Sequence, residues 1–297
     1  MLNPMKIATA AYPLDVHATW DSYAQKITDW VREAAENGAD LLVFPEYGAM
    51  ELATLAGLDV AGDLERAAWA VAERMADADA LHAGLAQAHT VHILAASGPA
   101  IHPDISRPVN RARLFAPSGA MGIQDKQVMT RFEAETWNVA PGGPLQLFDT
   151  AMGKIGVLIC YDCEFPLLGR ALADADILLA PSATEALTGY SRVRIGAQAR
   201  ALENQCVVAM SSIVGPADWS PAVDISTGAG GIYGPPDTGF PGDGVLAQGA
   251  LNTPGWTYAE VDLPTIAQVR ADGAVLNRRD WDASAPRAIA PPATSLR

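Results

Sequence analysis

Short, nearly continuous apolar runs recur along this chain, and segments with helical spacing separate them. Leu41–Phe44, Ile155–Cys160, Ile177–Ala180 and Cys206–Ser211 have the length of strands and almost no polar positions. Strands of this kind are buried on both faces, so a sheet built from them needs a covering layer on each side. Before the first of these runs, residues 23–35 repeat apolar side chains at helical spacing. The alternation predicts an α/β fold with mixed sheets.

The organisation of the chain favours one domain. Its 297 residues, 49% of them hydrophobic, allow one large domain or two of average size. Because no linker-like break interrupts the alternation, we predict a single domain over residues 1–283. Residues 284–297 are rich in Pro and Ala. That composition predicts an extended arm or a disordered tail rather than part of a core.

Charge and cysteine content limit the partners and the compartment. The formal net charge is -14, which argues against nucleic acid or an anionic membrane as the main partner. Three cysteines are too few, and odd in number, for a secreted disulfide framework. The chain shows no secretory signal pattern and no apolar run near the roughly 20 residues that span a bilayer. We therefore expect a cytoplasmic protein.

Cys160 and Cys163 are separated by two residues. The same Cys-x-x-Cys spacing is found in redox motifs and in half of a zinc site. A four-ligand zinc site needs two further ligands. The closely spaced histidines, His89 and His92, lie far upstream. The sequence therefore predicts no metal and no cofactor, and it predicts that Cys163 is a bystander.

Three apolar segments end in, or lead directly to, a reactive side chain. Glu46 follows the run at 41–44, Lys126 follows a segment that reads as the second strand of a hairpin, and Cys160 ends a third run. Strand exits are where α/β folds bind ligands, because the strand fixes a side chain beside an open crevice. We therefore expect these three residues to meet.

A thiol, a carboxylate and an ammonium group form a chemically coherent set. A thiol with a pKa near 8.5 is mostly protonated at pH 7, so a neighbouring carboxylate is needed to take its proton. A neighbouring cation favours the thiolate and stabilises an oxyanion. The backbone N–H of Tyr161, directly after the thiol, is a candidate second donor to that oxyanion. The pattern predicts nucleophilic catalysis by Cys160.

An ordered series of motifs along residues 5–262 resembles the nitrilase, or carbon–nitrogen hydrolase, superfamily. The matching segments are Phe44-Pro45-Glu46, Lys126, Cys160-Tyr161-Asp162, Phe165-Pro166, Pro181-Ser182 and Arg200-Ala201-Leu202-Glu203-Asn204. Met129–Glu133, Arg192–Ala197 and Trp219–Ala222 further resemble the branch whose members are sometimes fused to an acetyltransferase domain.

The resemblance implies a four-layer α-β-β-α sandwich that assembles as a homodimer or a higher homo-oligomer. It implies that Glu46 is the general base, that Lys126 binds the oxyanion, and that Cys160 forms a thioester. Many members place a second glutamate between the lysine and the cysteine. Glu133 fits its aromatic neighbours better, while the distance to the next turn keeps Glu135 open.

Other residues near these motifs are candidates for substrate binding or support. Tyr161, Tyr47, Thr184 and Trp137 are predicted to line the substrate pocket. An ion pair between Asp162 and Arg170 is predicted to support the turn that carries the nucleophile. These assignments rest on position in the sequence.

The leading hypothesis is hydrolysis of a small amide or N-carbamoyl compound, releasing ammonia or an amine. A nitrilase uses the same apparatus, and an acyl transferase differs only in its acceptor. From another class, a non-catalytic interaction module would keep the fold but lose one of the three reactive residues. All three are present in this chain, which favours an enzyme with a small-molecule substrate.

Overall fold

The computed structural model describes residues 4–295 as a mixed α/β fold. The strands are β1 (Met5–Tyr12), β2 (Leu41–Val43), β3 (His92–His102), β4 (Ile105–Phe115), β5 (Met121–Asp125), β6 (Leu147–Thr150), β7 (Gly153–Val157), β8 (Ile177–Ser182), β9 (Val207–Ile213), β10 (Gly215–Pro216), β11 (Ile225–Ser226), β12 (Gly231–Tyr233), β13 (Val245–Gln248) and β14 (Gly255–Val261).

The α-helices are α1 (Trp20–Glu36), α2 (Leu58–Ala61), α3 (Leu64–His89), α4 (Pro166–Ala171), α5 (Leu187–Asn204), α6 (Leu263–Asp272) and α7 (Asn277–Ser284). Shorter 3₁₀ segments cover Gly48–Ala56, Cys160–Glu164 and Ala285–Arg287, and Glu133–Trp137 forms a π-helical turn.

Twelve strands form one continuous sheet with two halves. The first half has the order β14-β1-β2-β3-β4-β5, and the second has the order β6-β7-β8-β9-β12-β13. They join only where the last two residues of β1, Ala11 and Tyr12, pair with Ser212 and Ile213 of β9. This single corner lets the sheet fold over, so that its two halves face each other.

The side chains along each strand alternate between two hydrophobic cores, and this alternation defines the layers of the fold. Ile7, Leu41 and Val43 belong to a core cluster shared with strands of the second half. Their neighbours Ala8 and Leu42 point the other way, into a cluster with α1 and α3. Successive side chains of a strand point to opposite faces, so the first half lies between these two cores. Helix α5 covers the second half. This four-layer α-β-β-α arrangement confirms the predicted fold.

The end of the chain differs from the sequence-based expectation. Helices α6 and α7 follow the last strand, and neither was predicted. Ile266 and Val269 of α6 pack into the core, whereas α7 has no buried residue among those described. Beyond Arg287, residues 288–295 are exposed and have no regular structure. Residues 1–3 and 296–297, the outer ends of the predicted domain and tail, lie outside the described residues.

Helix α5 packs closely against the 3₁₀ turn that begins at Cys160. A Cβ atom added to Gly196 would lie 2.7 Å from the carbonyl oxygen of Cys163, which is closer than real Cβ contacts. The Gly196→Ala variant is therefore expected to destabilise the fold by about 1–3 kcal/mol and to lower activity, because the turn must move. Urea unfolding and turnover measure both effects.

Gly84 in α3 provides the matched control. Gly84 is also a helical glycine, but it is exposed, and nothing lies within 4 Å of an added Cβ. Gly84→Ala is expected to stabilise the protein by about 0.5–1 kcal/mol through helix propensity alone. A Gly196→Ala variant that behaved like Gly84→Ala would contradict close packing at the turn.

Candidate active site

The structure brings Glu46, Lys126, Glu133 and Cys160 together. The Lys126 ammonium lies 2.7 Å from Glu46 Oε1 and 2.8 and 2.7 Å from the two oxygens of Glu133. All four side chains are buried. Glu46, Lys126 and Cys160 follow β2, β5 and β7, and both halves of the sheet contribute to the cluster.

Cys160 sits in a strained backbone conformation at the start of its 3₁₀ turn. Its φ angle is +51°, in the left-handed region that non-glycine residues rarely occupy. Its thiol contacts the carbonyl oxygen of Ala183 at 3.7 Å. The Cys163 thiol instead donates to the carbonyl of Leu158, away from the cluster.

A cavity of about 640 Å³ is lined in part by Cys160. Tyr161 and Thr184, both predicted to bind substrate, line it. The wall mixes apolar side chains such as Phe132 with the oppositely charged pair Arg192 and Glu164, 3.3 Å apart. The thiol is therefore the member of the cluster that a small molecule meets first, with the charged groups behind it.

Tyr47 and Trp137, also predicted to bind substrate, are placed elsewhere. The Tyr47 hydroxyl donates to Glu133 Oε1 at 2.7 Å, and its ring packs against Trp137 with centroids 4.7 Å apart. The Trp137 indole N–H donates to the carbonyl of Leu64. Both rings are buried behind Glu133 and neither lines the cavity at Cys160. Their positions suit them to holding Glu133 in place.

A capping box selects Glu133 over Glu135. The backbone N–H of Thr130 donates to Glu133 Oε2 at 2.8 Å, and the N–H of Glu133 donates back to Thr130 Oγ1 at 3.3 Å. This reciprocal pair starts the helical turn and points Glu133 inward. Glu135 is exposed and pairs with Arg131 at 2.8 Å. The sequence signal was Thr130-x-x-Glu133.

Asp162 supports the turn, but not through Arg170. Its buried carboxylate accepts hydrogen bonds from the backbone N–H groups of Ile159, Gln127 and Val128. It therefore ties the turn of Cys160 to the segment directly after Lys126. Arg170 lies 3.6 Å from Asp282 instead. The predicted Asp162–Arg170 ion pair is wrong, because buried backbone donors take up the Asp162 carboxylate.

Burial and mutual attraction set the charges in the cluster. Burial raises the pKa of Glu46 to about 7, against the opposing attraction of Lys126. Burial opposes the charge on Lys126 too, but Glu46 and Glu133 outweigh it and raise the pKa of Lys126. Burial disfavours ionised Glu133, yet Lys126 and several hydrogen bonds hold its pKa below the usual range.

The thiol of Cys160 has a pKa well above its ordinary value, first because it is buried and then because Glu46 is negative. The resting site therefore contains a neutral thiol beside a carboxylate whose pKa is close to physiological pH. A group with that pKa is well matched to taking a proton and giving it back.

Two polar residues near the cluster were given no role in the sequence analysis. Asn110 of β4 donates to Glu46 Oε1 at 2.9 Å. Arg200 of α5 donates to the carbonyl of Cys163 at 3.2 Å and so braces the nucleophile turn. Arg200 belongs to the motif series, while the only signal for Asn110 is a small amide within a strand.

Comparison with known proteins identifies the family. A family model described as carbon–nitrogen hydrolase matches residues 6–271. The chain belongs to the carbon–nitrogen hydrolase family. The predicted superfamily is thereby confirmed, while the narrower branch stays a prediction.

Relatives of this carbon–nitrogen hydrolase include enzymes named as amidases. It is 31% identical over 284 residues to probable hydrolase YhcX of Bacillus subtilis, covering 93% of this chain and 53% of that protein. The chain thus spans about half of YhcX. It is 26% identical over 263 residues to omega-amidase NIT2-A of Xenopus laevis, covering 85% of this chain and 87% of that protein.

A solved structure shows the same fold. An amidase from Nesterenkonia sp. AN1, whose active-site cysteine has undergone Michael addition of acrylamide, superposes with a TM-score of 0.67 at 22% identity. The match covers 93% of this chain and 99% of that one.

The described residues contain neither a candidate metal site nor a candidate membrane-spanning helix. Within residues 4–295, no cluster of three or more His, Cys, Asp or Glu side chains is placed to hold a metal ion. None of the helices in that range is long and apolar enough to cross a bilayer.

Proposed function

We propose that this carbon–nitrogen hydrolase is an amidase that cleaves the C–N bond of a small amide or N-carbamoyl compound through a thioester on Cys160. The observation that carries the proposal is the thiol exposed to the cavity, with Glu46 and Lys126 buried directly behind it. The amidase names of its relatives support the same reaction class.

In the proposed reaction, Glu46 takes the thiol proton as the sulfur bonds to the carbonyl carbon. The carbonyl π electrons move to oxygen, and Lys126 with the Tyr161 N–H stabilises that oxyanion. The oxyanion collapses, the C–N bond breaks, and Glu46 returns the proton to the departing ammonia or amine. Water, deprotonated by Glu46, then attacks the thioester, and the carboxylic acid leaves as the thiol is reprotonated.

Glu133 has a supporting part in this scheme. It offers two oxygens to the Lys126 ammonium while Glu46 offers one. Glu133 thereby holds Lys126 charged and in place throughout turnover. Thr184 and Tyr161 are proposed to contact the substrate because they line the cavity at the sulfur.

The test is ammonia release from a panel of small amides, ω-amides, N-carbamoyl amino acids and nitriles. Turnover of an amide or N-carbamoyl class, lost in Cys160→Ala, is the expected result. Turnover of nitriles alone would instead select the nitrilase alternative. No turnover, with a Cys160 that labels no faster than an ordinary thiol, would favour a non-catalytic interaction module.

Activity is expected to fall on the acid side of neutrality. Glu46 acts as a base only when ionised, and burial raises its pKa to about 7. As pH falls through that value, Glu46 gains a proton and kcat/KM should drop about tenfold for each further pH unit. A pH profile of kcat/KM checks this; an acid limb near 4.5, as for an exposed glutamate, would contradict it.

We further propose a homodimer and a cytoplasmic location. Helices α4 and α5 present exposed apolar side chains, among them Leu167 at 78% and Ile195 at 66% exposure. Such side chains grouped on neighbouring helices suit a contact between subunits. Light scattering after size-exclusion chromatography tests the dimer; a monomer at micromolar concentration would contradict it.

A further inference from the structure

Asn110 lies in the middle of β4 and is fully buried. Its side-chain Nδ2 donates to Glu46 Oε1 at 2.9 Å. Its backbone carbonyl oxygen accepts a hydrogen bond from the backbone N–H of Lys126, also at 2.9 Å. One residue therefore contacts the proposed base through its side chain and fixes the proposed oxyanion-binding lysine through its backbone.

The orientation of the Asn110 amide is determined by Ser97. The Ser97 hydroxyl oxygen accepts the backbone N–H of Tyr47 at 3.1 Å, and its single proton is donated to Asn110 Oδ1 at 2.7 Å. Because Oδ1 is occupied in this way, the NH₂ group must face Glu46. Ser97 is also fully buried, so water does not replace these contacts.

We propose that Asn110 is a positioning residue that keeps Glu46 ionised and aimed at the Cys160 thiol, with Ser97 orienting its amide. This inference rests on the proposed function, since it assigns a role to the proposed base. It concerns a neutral side chain, so the contact persists at every pH at which the protein is folded.

The two carboxylate oxygens of Glu46 have different hydrogen-bond partners, which supports this role. Oε1 accepts from both Lys126 and Asn110, whereas Oε2 accepts from the backbone N–H of Ala183 at 3.0 Å. The carbonyl of that same Ala183 contacts the Cys160 thiol. Glu46 Oε2 and the Cys160 thiol therefore share Ala183 as a contact, while Asn110 holds the carboxylate through the other oxygen, Oε1.

Several titratable groups also face Glu46. They are Lys126, Glu133, Cys160 and Tyr47, while Cys163 interacts with Glu46 only at longer range. Lys126 favours the ionised carboxylate and Glu133 opposes it. Asn110 adds a donor that favours the carboxylate and that none of these groups replaces, because Lys126 is already shared with Glu133.

The experiment compares the pH profile of kcat/KM in wild type, Asn110→Leu and Ser97→Ala. Leu has the same number of side-chain heavy atoms and the same branching but no donor, so we expect the acid limb of Asn110→Leu to move up by about one pH unit. At pH 7, kcat/KM should fall about fivefold, with most of it regained at pH 8.5. Ser97→Ala should move the limb in the same direction by less, and it removes only one hydroxyl if Asn110→Leu folds poorly.

Asn204→Leu is the matched control. Asn204 is an equally buried amide, but its Nδ2 donates to the carbonyl of Gly169, on the far side of the nucleophile turn. Its loss should weaken the fold without moving the acid limb. If Asn110→Leu and Ser97→Ala left the acid limb in place, as is expected of the control, Asn110 would be structural only and the proposal would be overturned.

A second readout does not depend on turnover. The rate at which methyl vinyl sulfone, a Michael acceptor that is neither an amide nor a nitrile, alkylates Cys160 reports proton transfer from the thiol to Glu46. The rate is followed by intact mass between pH 5 and 9. A shift of this profile in Asn110→Leu supports the positioning role even if no substrate is turned over, in which case only the proposed function fails. An unshifted profile overturns the positioning role even in an active enzyme.

Discussion

Replacing Cys160 with Ala is expected to lower amide hydrolysis by about 10⁴-fold or more, to the level of background. The variant loses the only atom proposed to form a bond with the substrate, while the buried charges behind it stay in place. Because alanine fills most of the same volume in a buried turn, the fold should change little. Ammonia release, with urea unfolding alongside, separates chemistry from stability.

Cys163→Ala is the matched control for that result. Cys163 is buried three residues further along, and its thiol donates to the carbonyl of Leu158 rather than facing the cavity. This variant should keep most of the activity and lose a modest amount of stability. Equal loss of turnover in both variants would contradict the assignment of Cys160 as the nucleophile.

Replacing Lys126 with Met is expected to lower both activity and stability. Removing the ammonium leaves Glu46 and Glu133 buried without a positively charged partner, and breaking a buried pair in this way costs about 3–5 kcal/mol. One of the two carboxylates must then take up a proton at neutral pH, and the oxyanion loses its charged donor. We expect turnover to fall about 10³-fold or more.

Lys154→Met tests whether these effects belong to the cluster. Lys154 is an exposed residue of β7, so its loss should change the free energy of unfolding by less than about 0.5 kcal/mol. Measurement of kcat/KM and of urea unfolding for both lysine variants gives the comparison. A Lys126→Met protein as stable as Lys154→Met would show that the ammonium does not balance the buried carboxylates.

The sequence predicted the meeting of Glu46, Lys126 and Cys160 because each follows a strand, and strand exits converge at one edge of a folded sheet. It left Glu133 and Glu135 open, although the Thr130-x-x-Glu133 spacing carries the physical reason for the choice. A capping box is a local feature, and reading it would have selected the glutamate that points inward.

Contacts between distant segments were not readable in this way. Asn110 and Glu46 are 64 residues apart, and only the pairing of β3 with β2 and β4 brings them together. Tyr47 and Trp137 have the aromatic character of pocket residues, but the path of the chain places them behind Glu133. Side-chain type indicated proximity to the site, not the direction from which each residue approaches it.

Two whole elements, β6 and α7, were not predicted for a different reason. The edge strand β6 is short and only half-buried, so its apolar pattern is weak. Helix α7 has no buried residue among those described, and hydrophobic periodicity therefore could not predict it. Where the apolar repeat is strong, as at residues 23–35, it does lie within a helix of the structure, α1 (Trp20–Glu36).

Acid quenching during turnover, followed by peptide mass spectrometry, detects the proposed thioester itself. With an amide substrate identified from the panel, we expect an acyl group on Cys160, seen as a mass gain on the peptide that contains it. The adduct should disappear when substrate is exhausted, since water hydrolyses the thioester. Turnover without an adduct on Cys160, or with one on Cys163 instead, would contradict the thioester mechanism.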